Sequence, residues 1–147
     1  MKVTDPFSLK RFITAQETVF DTAVAELRAG RKRSHWMWFI FPQLRGLGSS
    51  AMATRYAVGS LDEARAYLAD PLLGPRLVLC TETVLALKAK SPREIFGSPD
   101  DLKFRSSMTL FAQASAGEDN IFRQALADFC DGRPDERTLS LLAAAPY

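Results

Sequence analysis

Apolar residues recur every three or four positions along most of the chain, which is the period of an amphipathic α-helix. Between about Ser8 and Arg28 the apolar positions are Phe12, Val19, Phe20, Ala23, Val24 and Leu27. Further helical patterns cover residues 60–69, 72–90, 92–96, 99–116, 118–130 and 135–144. No stretch alternates between apolar and polar residues as a half-buried β-strand does. The sequence therefore predicts an all-α protein, a compact irregular bundle of about seven helices.

Serine residues mark the starts of three of these helices. Ser60-Leu61-Asp62-Glu63 has the form of a capping box, in which the serine hydroxyl and the glutamate carboxylate accept hydrogen bonds from free backbone amides. Ser91-Pro92 and Ser98-Pro99 each combine a serine at the N-cap with a proline at the first helical position. The spacing predicts helices that begin at these three points.

Composition excludes several classes of protein. The chain has 147 residues, which predicts one domain over residues 1–147, and its 47% hydrophobic and 24% charged residues are typical of a globular protein. The formal net charge of +2 is too small by itself to indicate a nucleic-acid partner. No apolar run approaches the roughly 18 residues of a membrane helix, so we expect no membrane partner.

The two cysteines, Cys80 and Cys130, lie within apolar helical patterns, where free thiols are common core residues. Neither has a second cysteine or histidine at ligand spacing, so we expect no metal site and no cofactor. Free thiols fit a reducing cytoplasm, which is the predicted location.

The densest run of positive charge is Arg28-Ala29-Gly30-Arg31-Lys32-Arg33. Basic residues at a helix C-terminus interact with the helix dipole and with free carbonyls, which explains such a run without any ligand. The functional alternative is a collar that attracts an anionic ligand. Nucleic acid is less favoured, because no basic stripe interleaved with aromatic residues continues along the chain.

Residues 34–43, with the sequence SHWMWFIFPQ, depart from the amphipathic pattern. We expect a short central helix here, which would be apolar on all sides. His35 is the candidate general acid or base because imidazole titrates near neutral pH, and a histidine that hydrogen-bonds within the core is the alternative. Trp36 and Trp38 are both candidates for stacking on a ligand ring, and Trp36 is counted among the binding residues, although such residues are often simply core. On a helix Trp38 would point in a different direction from Trp36.

The next residues, 44–50, have the sequence LRGLGSS and predict a flexible loop. Its glycines let the backbone approach a ligand closely, and its free amides suit an anion. The spacing matches neither the Walker nor the Rossmann pattern. We expect Gly48 and Ser49 at the edge of a binding site, and Ser49 or Ser50 at the N-cap of the following helix.

A second polar cluster lies at residues 100–109, with the sequence DDLKFRSSMT. On a helix Lys103, Ser106 and Ser107 lie at positions i, i+3 and i+4, so they share one face. A lysine with two hydroxyls is suited to a phosphate or a carboxylate. The alternative is an exposed polar face on which Asp100 pairs with Lys103.

Three strings resemble the signatures of a bacterial family known as domain of unknown function 1810: residues 35–43, 46–50 and 101–111. The resemblance covers nearly the whole chain and extends to Phe12, Gln16, Tyr56, the 72–77 stretch and Asp135. It implies a small cytoplasmic all-helical domain and no established activity. The calpastatin label that some members carry has no support in this sequence. The matching polar positions, which a core alone would not require, are His35, Gln43, Arg76, Asp101, Lys103 and Ser107.

These residues lead to the hypothesis of a pocket for a small anionic or nucleotide-like ligand. Its floor would be residues 35–43, its lip residues 46–50 and its wall residues 103–107. Lys103 and Arg76 would hold negative charge.

In the same pocket, Gln43 and Ser107 would supply directional hydrogen bonds. His35 would transfer the proton in any hydrolase or transferase reaction. The alternative function is a non-catalytic protein-interaction module. Its aromatic segment would be core or a homodimer surface, and its basic collar would contact a partner.

Overall fold

The structure is a computed structural model that describes residues 5–117 and 119–144. Within these residues the chain forms ten α-helices and no β-strand, so the predicted all-α class is confirmed. The helices are α1 (Lys10–Glu17), α2 (Phe20–Arg28), α3 (Met37–Ile40), α4 (Ala51–Arg55), α5 (Leu61–Ala69), α6 (Leu73–Leu85), α7 (Pro92–Phe96), α8 (Asp100–Ala114), α9 (Ile121–Phe129) and α10 (Glu136–Ala144). The helix predicted from Glu118 begins at Ile121, and Glu118 itself lies outside the described residues.

The helix predicted over residues 8–28 is in fact two helices. Thr18 ends α1, and the backbone leaves helical geometry at Val19, where φ is −121°. Both residues are β-branched, which restricts their side chains against the preceding helical turn. The short helix expected within residues 34–43 is present as α3, and the helix expected after Ser49 or Ser50 is present as α4. They have four and five residues.

Two of the three predicted serine caps are present. The Ser60 hydroxyl accepts a hydrogen bond from the Glu63 amide at 3.1 Å, and Ser91 forms both halves of a capping box with Glu94. The prediction for Ser98 is wrong, because Pro99 occupies the N-cap of α8 and no side chain caps it.

The carboxylate of Glu63 does not complete a capping box with Ser60. It accepts hydrogen bonds from the Gly59 amide at 3.0 Å and from the Arg11 guanidinium at 2.8 Å. Arg11 also donates to the carbonyls of Arg55 and Ala57. The side chain of Glu63 thus joins α1 to the segment before α5.

Helix α8 lies at the centre of the fold and packs against α5, α7, α9 and α10. The residues of the aromatic segment fill the core beside it: the rings of Phe41 and Phe104 meet edge to face with centroids 5.2 Å apart, and Phe96 stacks on Phe104 at 4.8 Å. Trp36 and Phe41 are fully buried. Most of the aromatic segment therefore serves packing.

Both cysteines are free and buried, as predicted. Burial raises the pKa of the Cys80 thiol to about 12, so this thiol stays protonated and unreactive at neutral pH. Among residues 5–117 and 119–144, no helix combines the length and the apolar character needed to cross a bilayer.

Candidate functional site

A cleft of about 490 Å³ opens where the end of the aromatic segment, the glycine loop and the first turns of α8 and α10 meet. We call it the aromatic cleft. Its lining residues are Trp38, Gln43, Leu47, Gly48, Ser49, Ser50, Ala53, Pro99, Leu102, Lys103, Ser106, Asp135 and Arg137. The three segments that the sequence suggested as floor, lip and wall therefore share one opening.

Short backbone contacts hold the loop that forms the lip of this cleft. The Arg45 amide donates to the Val58 carbonyl, and the Val58 amide donates to the Gln43 carbonyl, each at 2.8 Å. The loop between these two points leads into α4, where the Ser50 hydroxyl accepts from the Ala53 amide at 3.1 Å. Of the two serines suggested as the cap, Ser50 is the one that caps.

The two glycines of the loop are needed for different reasons. Gly46 has a φ of +103°, which L-residues rarely adopt. At Gly48 a side-chain methyl would lie 2.7 Å from the Cβ atom of Ala53, closer than carbon atoms can approach. The loop therefore lies against α4 at a distance that only glycine permits.

Lys103 supplies the first cation of the cleft. Its Nζ atom lies 5.1 Å from the centroid of the Trp38 ring and 3.2 Å from Oδ1 of Asp100. The other oxygen of Asp100 binds Lys32 at 2.9 Å. Burial raises the pKa of Asp100, but the hydrogen bonds and charges of the two lysines outweigh burial and hold this pKa below its ordinary value. Asp100 is thus a carboxylate that orients Lys103.

Arg137, which the sequence did not single out, supplies the second cation. It lies in the first turn of α10, and its guanidinium donates to the Gly46 carbonyl at 3.1 Å. Asp135 also lines the cleft, but its carboxylate caps α10 by accepting from the Thr138 amide at 2.9 Å. The lining therefore carries two cations against one carboxylate that is already engaged.

A model for the family described as "Protein of unknown function (DUF1810)" matches residues 6–142. The chain belongs to the DUF1810 family. Among solved structures it is similar to the conserved hypothetical protein Rv1873 from Mycobacterium tuberculosis, with a TM-score of 0.93 and 57% identity over 96% of this chain and 100% of that chain. No curated protein is significantly similar to it. Every lining residue of the aromatic cleft lies within the DUF1810 match.

Five of the predicted binding residues of this DUF1810 chain line the aromatic cleft: Gln43, Gly48, Ser49, Lys103 and Ser106. The loop and α8 bring these residues together although they are far apart in the sequence. The Ser106 hydroxyl also donates to the Leu102 carbonyl at 3.1 Å, so its oxygen remains an acceptor on the cleft side.

Trp36 does not take the predicted place, which belongs to Trp38. Trp36 is fully buried, and its indole nitrogen donates to a carboxylate oxygen of Glu26 at 2.9 Å. Trp36 and Trp38 are two residues apart near a helical turn, so their indoles point in different directions. Trp38, which is half-buried, is the indole available to a ligand.

Arg76 lies elsewhere in the DUF1810 fold. Its guanidinium donates to the Gln16 side chain at 3.3 Å and packs over the Phe20 ring at 4.4 Å. Gln16 in turn donates to the Phe39 carbonyl and to the Tyr67 hydroxyl. The polar role of Arg76 is therefore to join α6 to α1 and α2, and it does not line the cleft.

Three further predicted residues also lie outside the lining of the aromatic cleft. His35 is exposed on the turn before α3. Ser107 is fully buried, because it lies on the side of α8 that faces the core. Asp101 is half-buried in the first turn of α8. The wall of the cleft is thus the face of Lys103 and Ser106, and Ser107 belongs to the neighbouring face.

The chemistry that the cleft offers is that of recognition. Its groups are an indole ring, an amide, hydroxyls and two cations. Among the described residues of its lining, none is histidine or cysteine. The described part of the chain also contains no group of three acidic, histidine or cysteine side chains arranged to hold a metal ion.

Proposed function

We propose that the aromatic cleft binds a small anionic ligand that carries a flat ring, as a nucleotide-like molecule does. The observation that carries the proposal is the convergence of Trp38, Lys103 and Arg137 from three separate segments on one opening. The cleft volume of about 490 Å³ falls within the range of small-molecule sites, roughly 300–1,000 Å³.

The residues of the cleft contribute different contacts to ligand binding. Lys103 and Arg137 attract the anionic group, and the guanidinium fork can pair with two of its oxygens. The exposed part of the Trp38 ring offers a stacking surface. Gln43 and Ser49 supply hydrogen bonds that fix orientation, while Gly48 lets the ligand reach the loop backbone.

The proposal is for binding and includes no reaction. His35 was the candidate acid or base, and its exposed position on the turn before α3 lies outside the lining of the cleft. A proton-transfer group must lie within hydrogen-bond reach of the bound substrate. Hydrolase or transferase chemistry therefore has no residue assigned to it in this cleft.

The alternative of an interaction module has less support. An aromatic dimer surface would need exposed rings, whereas Trp36, Met37, Ile40 and Phe41 are buried.

The two buried free thiols fit the cytoplasmic location that we propose for the protein.

The test is thermal denaturation in the presence of three probes: a nucleoside monophosphate, the matching nucleoside and inorganic phosphate. Binding to the native state raises the melting temperature, and a ligand at about one hundred times its Kd stabilises by about 2.7 kcal/mol. We expect the monophosphate to stabilise most, because it alone combines the ring with the charge.

The variant Lys103→Ala is expected to abolish this stabilisation. Lys88→Ala is the matched control, because Lys88 also pairs with an aspartate, Asp128 at 3.9 Å, but lies outside the cleft. Equal stabilisation of both variants would remove Lys103 from the site. If inorganic phosphate stabilises the protein as strongly as the monophosphate does, the ligand ring does not contribute to binding.

A further inference from the structure

A second cleft, also of about 490 Å³, lies between the turn that follows α2 and helix α7. We call it the basic cleft, because four of its lining residues are cationic: Arg31, Lys32, Lys90 and Arg93. Two residues of the basic run at 28–33, Arg31 and Lys32, thus form one wall, and residues 90–93 form the other.

Specific contacts hold the two walls together. The Lys32 amide donates to the Ile95 carbonyl at 2.7 Å, and the Lys90 ammonium donates to the Gly30 carbonyl at 3.1 Å. Gly30 has a φ of +82°, a conformation that favours glycine. These two hydrogen bonds and the turn at Gly30 hold the two walls next to each other.

The charges of the basic cleft are partly balanced, because its lining includes the Glu94 carboxylate as well as the four cations. Lys32 pairs with Asp100, and the Glu94 carboxylate accepts from the Ser91 amide in the capping box of α7. The other three cations form no salt bridge with any residue in the ranges 5–117 and 119–144. This surplus of positive charge within one cleft attracts anions.

The lining also indicates which kind of anion fits. The apolar residues of the lining, Ile95 and Phe96, are buried, so they offer a ligand almost no ring surface. Single-stranded nucleic acid is bound through exposed aromatic rings as well as charge, and such rings are missing from the described lining. Guanidinium groups pair with phosphate oxygens two at a time.

We propose that the basic cleft binds a short polyphosphate group, with Arg31 and Arg93 as its principal ligands. The site is separate from the aromatic cleft and does not depend on the function proposed for it. Polyphosphate is the shared chemistry of an inorganic chain and of a nucleotide tail, and the two sources are separated by the probes below.

The experiment is isothermal titration calorimetry with tripolyphosphate, at constant ionic strength. The test variant is Arg31→Ala combined with Arg93→Ala, since both side chains are exposed and make no side-chain hydrogen bond in the described structure. The matched control is Arg28→Ala combined with Arg33→Ala, which removes the same charge from the same surface outside the cleft.

We expect tripolyphosphate to bind the wild type, and the test variant to weaken binding roughly tenfold or more, through loss of charge-assisted hydrogen bonds. The control variant should bind with the wild-type Kd. Equal weakening in the test and control variants, or no binding to the wild type, would overturn the proposal.

Two further probes identify the source of the phosphates. If a nucleoside triphosphate binds more tightly than tripolyphosphate, and if this extra affinity is lost in Arg31→Ala/Arg93→Ala, the cleft is a site for nucleotide tails. If the two probes bind equally, the cleft is a site for inorganic chains. Both results support a polyphosphate site. A single-stranded oligonucleotide that binds while tripolyphosphate does not would overturn it.

Discussion

The ammonium group of Lys103 lies 5.1 Å from the centroid of the Trp38 ring, so the cation and the aromatic surface of the cleft form one unit. Asp100 completes this unit from the preceding turn of α8 at 3.2 Å. A cation over an exposed ring stabilises the folded state by about 0.5–1 kcal/mol, and an ion pair near the surface stabilises it by about 0–1 kcal/mol. The arrangement therefore orients Lys103 without making the fold depend on it.

Replacing Lys103 with alanine should consequently cost about 1 kcal/mol in the free energy of unfolding or less. Urea denaturation measures this cost. A small value shows that any loss of ligand binding in Lys103→Ala comes from the missing charge. A loss of several kcal/mol would instead show that Lys103 is a structural residue of α8.

The packing of the glycine loop on α4 gives a second prediction. In Gly48→Ala the new methyl group would meet the Ala53 Cβ atom at 2.7 Å, so the loop must move away from α4. Overpacking of this kind costs typically 1–3 kcal/mol. We expect a lower melting temperature and weaker ligand binding.

The double variant Gly48→Ala/Ala53→Gly tests the cause, because it removes the opposing methyl. Ligand binding should return towards the wild-type value, although glycine within α4 costs about 1 kcal/mol in helix stability. If the double variant binds no better than Gly48→Ala, the clash with Ala53 is not what displaces the loop.

The turn before α3 depends on one carboxylate. Glu26 accepts hydrogen bonds from the amides of Arg33 and Ser34 and from the indole of Trp36. Glu26→Ala leaves the buried indole N–H without its acceptor, which costs about 1–3 kcal/mol. Urea denaturation should show this loss, and Glu17→Ala is the control, because Glu17 is exposed and accepts no side-chain hydrogen bond in the described structure. A cost no greater than that of Glu17→Ala would contradict this role.

Glu26 also predicts a pH dependence. Burial raises its pKa, but the hydrogen bonds from Ser34, Arg33 and Trp36 outweigh burial and lower the pKa from 4.5 to about 2. The unfolded chain therefore binds a proton more readily than the folded one, and the stabilisation by the carboxylate is lost as the pH falls from 4.5 towards 2. The difference in unfolding free energy between wild type and Glu26→Gln should shrink over this range, while a constant difference would contradict the assignment.

The sequence was sufficient for the helical class, which depends on local rules, and it named five of the thirteen residues that line the cleft. Periodicity identified the helices, and the hydroxyl-bearing stretch of α8 identified Lys103 and Ser106. The same rules left the choice between Trp36 and Trp38 open. That choice depends on Glu26, a residue of another helix whose carboxylate draws the Trp36 indole into the core.

The hydrophobic pattern of the sequence could not predict residues whose roles depend on tertiary contacts. Arg137 lies in a short terminal helix with an ordinary sequence, and only the folded chain brings its guanidinium to the Gly46 carbonyl. Arg76 shows the converse case. Arg76 matches a polar position of the family pattern, which suggested a ligand contact, whereas the structure gives it Gln16 and Phe20 as partners within the protein.

The contact between Arg137 and Gly46 leads to the last prediction. The Arg137 guanidinium is a cation of the aromatic cleft. It also connects α10 to the glycine loop, because it donates a hydrogen bond to the Gly46 carbonyl at 3.1 Å. Arg137→Ala should therefore weaken ligand binding and also speed amide hydrogen exchange in the loop without ligand, because a region held by fewer hydrogen bonds opens more often. Arg133→Ala is the control, since this exposed arginine precedes α10 and does not line the cleft. Weaker binding with unchanged exchange would limit Arg137 to charge recognition, whereas unchanged binding would remove it from the site.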